Sequence, residues 1–269
     1  MRPSRMLAVG VPALAAGLTA ALIGAGIPAQ AAAAVNYVAL GDSYSSGVGA
    51  GGATGSCAQS PHAYPELWAA ANPVASFKFA ACSGARAADV INNQLSSLSA
   101  STTLVSITIG GNDVGFSSIM QSCVRDSTSA CESAVAAAEK IASTTLPGQL
   151  NTVLAGIRAQ APNAKVVVLD YPDFYDLGAW FCIGLSSADH QALDTGVDIL
   201  DGVIKKAALA NGDAFADVRS AFSGHELCDW GAWLHSVTWP IGNSYHPTAS
   251  GHQDGYLPVF SAAASKAGL

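Results

Sequence analysis

Four short stretches of this 269-residue chain carry residue types suited to nucleophilic chemistry. GDSYSSG (41–47) sets Ser43 directly after the apolar run YVAL, SGA (83–85) offers Gly84, GGND (110–113) offers Asn112, and NSYHP (243–247) offers His246. A serine hydroxyl is a weak nucleophile until a base takes its proton, and the tetrahedral intermediate of acyl transfer needs donors preorganised around its oxyanion. Ser43 supplies the hydroxyl and His246 the base. The N–H groups of Ser43 and Gly84 and the side-chain amide of Asn112 supply three donors. Gly, Asp and Ser also favour plain turns for backbone reasons, so the first stretch decides nothing alone. Pro247 disfavours helix at His246 and leaves its imidazole in a loop.

To act together, these residues need one scaffold edge. Short apolar runs at 37–40, 77–80, 104–109 and 166–169, with a weaker one at 214–218, read as five strands. Between them, alanine-rich segments of helical period at 63–71, 132–143, 146–161 and 188–210 read as helices, and 248–264 reads as the last one. Strands alternating with helices predict parallel βαβ units and an α/β sheet covered on both faces. In such sheets function collects in the loops after the carboxyl ends of strands. Ser43, Gly84 and Asn112 follow the first, second and third runs.

The amino terminus bears on compartment. Arg2 and Arg5 precede an apolar run from residue 6 to 27, and Ala29-Gln30-Ala31 fits a small-x-small cleavage site. Residues 1–31 are therefore expected to be a signal peptide, with Ala33 or Ala34 as alternative cleavage points, and residues 32–269 one domain of a secreted, extracellular protein. The whole chain has 12 basic and 19 acidic residues; loss of Arg2 and Arg5 leaves ten basic residues and a formal charge of −9. That balance argues against nucleic acid and anionic membranes as partners, but not against a neutral or zwitterionic substrate. Six cysteines, Cys57, Cys82, Cys123, Cys131, Cys182 and Cys228, are an even count in an exported chain, which predicts three disulfides. Pairing neighbours along the chain closes the loops without threading. No C-x-x-C spacing or Cys/His cluster suggests a metal.

The four stretches, in this order, resemble the four blocks of the SGNH (GDSL) hydrolase family, most closely its secreted bacterial lipases and phospholipases A1. The similarity runs from Val35 to about Leu257 and includes the cysteine placement. It implies a three-layer α/β/α flavodoxin-like fold with a central parallel sheet of about five strands. It also implies ester hydrolysis with Ser43 as nucleophile, His246 as base, Ser43, Gly84 and Asn112 in the oxyanion hole, and no metal or organic cofactor. One departure stands out. Most members carry aspartate three residues before the histidine, and here that position is Asn243. The main-chain carbonyl of Ser244 is the nearest substitute acceptor for the imidazole Nδ1 proton, with Asp217 and Asp229 as runners-up. Rival constellations do not fit: the elbow G-x-S-x-G is absent, and a chymotrypsin-like order would place histidine before serine. His62, His190, His225, His235 and His252 are expected to be surface or hydrogen-bonded filler.

Two aromatic stretches, 172–184 and 228–242, flank the expected site with Phe174, Tyr175, Trp180, Phe181, Trp230, Trp233 and Trp239. Any one of them taken alone is most simply core under a long loop. As a group they suit an acyl chain, so the expected substrate is a lipid ester, an acylglycerol or phospholipid, met by a monomer in transient contact with a lipid–water interface. An acetyl esterase acting on carbohydrate, or a secreted binding protein of this fold without turnover, are the alternatives.

Overall fold

The computed structural model describes Gly10 and residues 34–268; Gly10 apart, the predicted leader lies outside the described residues. Strand β1 (Val35–Gly41) leads into the one-turn helix α1 (Ser43–Ser46) and then α2 (Tyr64–Ala71). After β2 (Val74–Phe79) comes α3 (Ala87–Asp89), which runs on as irregular turns. Strand β3 (Leu104–Thr108) is followed by α4 (Phe116–Arg125), α5 (Thr128–Thr144) and α6 (Leu146–Gln160). Strand β4 (Lys165–Leu169) precedes the long α7 (Ser187–Ala210), and β5 (Ala214–Ala216) precedes α8 (Arg219–Phe222). A π-helical stretch at Gly251–Tyr256 then runs on into the final helix, α9 (Leu257–Lys266).

All strand pairs are parallel, in the order β2-β1-β3-β4-β5. That is the flavodoxin-like order, and the direction in which successive strands are added reverses between β1 and β3, the point where doubly wound sheets open a crevice for ligands. The inner strands are buried on both faces: every residue of β3, and Val166 to Leu169 of β4, is shielded from water. This is why these segments read as continuous apolar runs and not as alternating ones. The helices α2 and α9 cover one side, where Tyr37, Trp68 and Phe260 pack ring to ring at 5.3 to 5.6 Å. On the other side α7 packs against α5 and α6. Within this apolar layer Tyr37 has one polar need, met by a 2.6 Å hydrogen bond between its hydroxyl and that of Ser106.

The cysteines pair as neighbours, Cys57 with Cys82, Cys123 with Cys131 and Cys182 with Cys228. The first bond ties the loop after α1 to the end of β2. The third ties the loop after β4 to the long segment before His246. The final helix begins where expected: Thr248 Oγ1 accepts from Gly251 N–H at 3.2 Å, Ala249 and Ser250 are helical, and a π-helical stretch at Gly251–Tyr256 runs on into α9. In that stretch Gly251 and Gly255 have no room for a Cβ, which would meet the Trp233 carbonyl oxygen at 2.6 Å and the Phe222 ring at 2.4 Å respectively. One helix departs from expectation. Helix α4 was not anticipated at all, since its serines obscure an apolar stripe at 116, 119, 120, 123 and 124.

Candidate active site

Ser43 owes its position to the way β1 ends. A Cβ on Gly41 would lie 2.5 Å from the carbonyl oxygen of Thr108 and 2.8 Å from Ser45 Oγ, so only glycine allows β1 to finish this close to the end of β3. The Gln94 amide holds that peptide from both sides, accepting from Gly41 N–H and donating to Gly41 C=O, each at 2.8 Å. Asp42 then caps α1: its carboxylate accepts from Tyr44 N–H at 3.0 Å, which makes Ser43 the first residue of the turn. The same carboxylate accepts from Thr108 Oγ1 at 2.8 Å and from the Tyr171 hydroxyl at 2.5 Å. Burial pushes Asp42 up to about 6, and these three donors hold it from going higher.

The expected donors lie in the neighbouring loops. Among the described residues neither Ser43 N–H nor Gly84 N–H finds an acceptor. Gly84 has φ +80°, a conformation costly for other residues, and a Cβ there would meet nothing within 4 Å. The visible need for glycine is therefore its backbone conformation, with open space in front of it. Asn112 donates through Nδ2 to Ala85 C=O at 3.1 Å, which fixes its amide against the peptide that follows Gly84. Tyr171 braces the same loop, accepting from Gly111 N–H at 3.1 Å while it donates to Asp42. A single phenol thus locks the third loop to the first.

His246 lies 203 residues after Ser43 in the chain and at hydrogen-bond distance in space, with Nε2 2.8 Å from Ser43 Oγ. Its Nδ1 is 3.0 Å from the carbonyl oxygen of Ser244. Tyr245 makes that two-residue turn possible by adopting φ +62°, rare outside glycine. Three hydrogen bonds hold it there: Tyr245 N–H donates to His235 C=O at 2.8 Å, His235 N–H to His246 C=O at 3.0 Å, and the Tyr44 hydroxyl to Tyr245 C=O at 2.5 Å. Both Ser43 and His246 are 8 % exposed. Burial lowers the imidazole to about 4, against the opposing effect of the Ser244 carbonyl, and nearby His235 lowers it further. The ring is therefore neutral at ordinary pH, with Nδ1–H donating to Ser244 C=O and Nε2 free to accept the serine proton.

Among the described residues no carboxylate touches His246. Asn243 meets it only through its backbone, whose carbonyl accepts from His246 N–H at 3.2 Å. Asp217 is engaged by Arg219 at 2.7 Å, and Asp229 makes no hydrogen bond or ion pair with the ring. The other histidines divide. His235 also contacts Gly49 C=O through Nε2 at 2.9 Å and helps shape the His246 turn, a role the sequence did not suggest. His252 is buried and accepts from Tyr64 N–H, and His190 and His225 stack on Tyr175 and Trp233.

The aromatic residues do not behave as one group. Phe174 is buried and, with Ser43, Asn112, Phe116, Val197 and Leu200, lines a pocket beside the serine. That pocket shares Phe116 and Phe174 with an apolar cavity between α4, α5 and α7, reaching Met120, Val135 and Ala138. Tyr175 is buried and Trp233 half-buried, whereas Trp180, Trp230 and Trp239 point into solvent and do not line the pocket.

A parallel α/β sheet that presents a serine–histidine pair and unused N–H donors at its switch point has the make-up of a serine hydrolase. Residues 39–253 match the GDSL-like lipase/acylhydrolase family, and the chain belongs to it. It is 54 % identical to Lipase 1 of Streptomyces coelicolor over 257 residues, which span 93 % of this chain and 95 % of that protein. Phospholipase A1 from Streptomyces albidoflavus and an extracellular lipase from Streptomyces rimosus have similar solved structures. Each is 51 % identical, with a TM-score of 0.84 over 86 % of this chain and the whole of theirs.

Proposed function

We propose that the protein is an exported hydrolase of lipid carboxylic esters, acting through a Ser43 acyl-enzyme with His246 as base. As Ser43 Oγ bonds to the ester carbonyl carbon, its proton passes to His246 Nε2. The oxyanion that forms takes donors from Ser43 N–H, Gly84 N–H and Asn112 Nδ2–H. Collapse breaks the ester bond, and the departing alcohol takes the proton back from Nε2. Water, deprotonated by the same nitrogen, then frees the fatty acid and restores Ser43. Throughout, Ser244 C=O selects the tautomer and faces the charged imidazolium with a dipole instead of a carboxylate.

The observation that carries the choice of substrate is the apolar pocket at Ser43, with Phe116, Phe174, Val197 and Leu200 on its walls and an apolar cavity behind it. An acyl chain suits such walls, whereas acetylated sugar wants polar partners. The lipase and phospholipase A1 relatives support the same class, and the leader at residues 1–31 together with the extracellular relative supports export. A phosphatidylcholine with different chains at sn-1 and sn-2, assayed beside a triacylglycerol emulsion, tests this. Release of the sn-1 acid by the wild-type protein and none by Ser43→Ala is expected. Acetate release from acetylated xylan without any fatty acid would turn the assignment to a carbohydrate esterase.

Two further results follow. Only a neutral imidazole accepts the serine proton, so kcat/KM falls as pH drops through the His246 value. With that value lowered to about 4, the acid limb of kcat/KM toward a soluble ester is expected at about pH 4 to 5, well below the ordinary histidine value of 6.5. A limb near pH 6 would instead point to Asp42. The carbonyl acceptor also predicts tolerance. Asn243→Ala, Ser244→Ala, Asp217→Asn and Asp229→Asn each keep kcat within about tenfold, because none removes the Ser244 carbonyl. A loss near 10⁴-fold at either aspartate, the scale seen when a triad loses its orienting carboxylate, would establish a triad.

A further inference from the structure

We infer that the loops on either side of the Cys182–Cys228 bond form a docking surface for zwitterionic lipid, an inference that rests on the lipid-ester function proposed above. Trp180, Trp230 and Trp239 are 97, 101 and 87 % exposed, and Phe181, Ile183 and Ile241 are each more than half exposed. A large aromatic carries roughly 150–250 Å² of surface, and leaving three of them in water is costly for a monomer unless something covers them. The residues are not scattered. Trp180 precedes Cys182 by two positions and Trp230 follows Cys228 by two, so the disulfide brings both loops together. A single groove joins their inner sides, lined by Val124, Phe181, Ile183, Val237 and Tyr245, with both cysteines in it. At Tyr245 the groove ends one residue from His246.

Charge identifies the partner. No Lys or Arg occurs at 166–204 or at 220–265, while Asp176, Asp189 and Asp229 border the two loops, in a chain whose exported form carries −9. Without a basic residue, neither loop has an anchor for anionic headgroups, and the net charge opposes approach to them. A tryptophan-rich rim without basic residues suits the headgroup layer of a neutral-on-average bilayer, where an amphipathic ring keeps its N–H wet and its body dry. Docked this way, lipid lies against the groove whose wall includes Tyr245, the residue of the turn that orients His246.

The test uses the full exported chain carrying Ser43→Ala, so that vesicles survive the measurement, and phosphatidylcholine vesicles as the probe. Sedimentation with vesicles, and quenching of tryptophan fluorescence by brominated phosphatidylcholine, are expected for this protein. The combined changes Trp180→Ser, Trp230→Ser and Trp239→Ser should weaken vesicle binding by roughly tenfold or more, and admixed phosphatidylglycerol should weaken it at low salt. In the protein that retains Ser43, the same three changes should leave kcat/KM toward soluble p-nitrophenyl butyrate within about twofold, while hydrolysis of vesicle lipid falls with binding. Unchanged vesicle affinity in the triple variant overturns the inference. So does a dimer that dissolves on the three changes while vesicle affinity stays the same, since the face would then be an interface between copies. Vesicle binding lost by the triple variant of a protein that hydrolyses no ester would leave the docking surface standing and remove the lipase function instead.

Discussion

Ser43→Ala is expected to keep no more than about 10⁻⁴ of the wild-type kcat on p-nitrophenyl butyrate, with an unchanged melting temperature. Ser43 Oγ contacts a single partner, His246 Nε2, and the serine backbone stays tied into β1 and α1, so the alanine protein loses the proposed nucleophile and little else. His246→Ala should fall by a similar factor, since a hydroxyl without a base attacks an ester poorly. Because the two groups act as one unit, the double variant should be scarcely slower than either single one. Retention of even about a tenth of wild-type turnover by Ser43→Ala would show that the ester is cleaved elsewhere.

The second large effect is expected at Asn112. Replacing it with alanine should lower kcat roughly 10²- to 10³-fold while KM changes little, the penalty for one lost oxyanion donor. Folding should be nearly unaffected. The side chain has one hydrogen bond to the protein, to Ala85 C=O, and the bracing of its loop belongs to Tyr171 and to Asp113, whose carboxylate accepts from Ala87 N–H at 3.0 Å. Thermal unfolding beside steady-state kinetics separates the two roles. A variant that melts several degrees lower and, once folded, turns over normally would make Asn112 a structural residue.

Much of the scaffold could be read from residue order, because burial on both faces leaves a strong signature. The runs YVAL, LVSIT and VVVL could hardly sit anywhere but inside a parallel sheet, and their loops then had to carry whatever chemistry the chain possessed. Asn243, where a family member usually has aspartate, likewise directed attention to Ser244 C=O before any geometry was available. The supports of the site were a different matter. Tyr171 meets Asp42 across 129 residues of chain and Gln94 meets Gly41 across 53, and neither contact leaves a local pattern. The φ of Tyr245 is similarly silent, since nothing in SYHP distinguishes a left-handed residue from an ordinary one. Among the aromatics, hydrophobicity alone could not separate Phe174, which lines the pocket, from Trp180, which faces water. That difference depends on where a disulfide loop turns.

The separation of Ser43 from His246 has a consequence for how activity arises during synthesis. The two residues that must touch stand near opposite ends of the folded region, 203 positions apart. A ribosome delivers the serine 203 residues before the imidazole, and the surroundings of β1 are incomplete until the loop that carries His246 has packed beside it. Up to that moment the hydroxyl is an ordinary alcohol, inert toward esters. The proposed hydrolysis would thus wait for His246, and a polypeptide interrupted anywhere before it would carry Ser43 with no base to activate it.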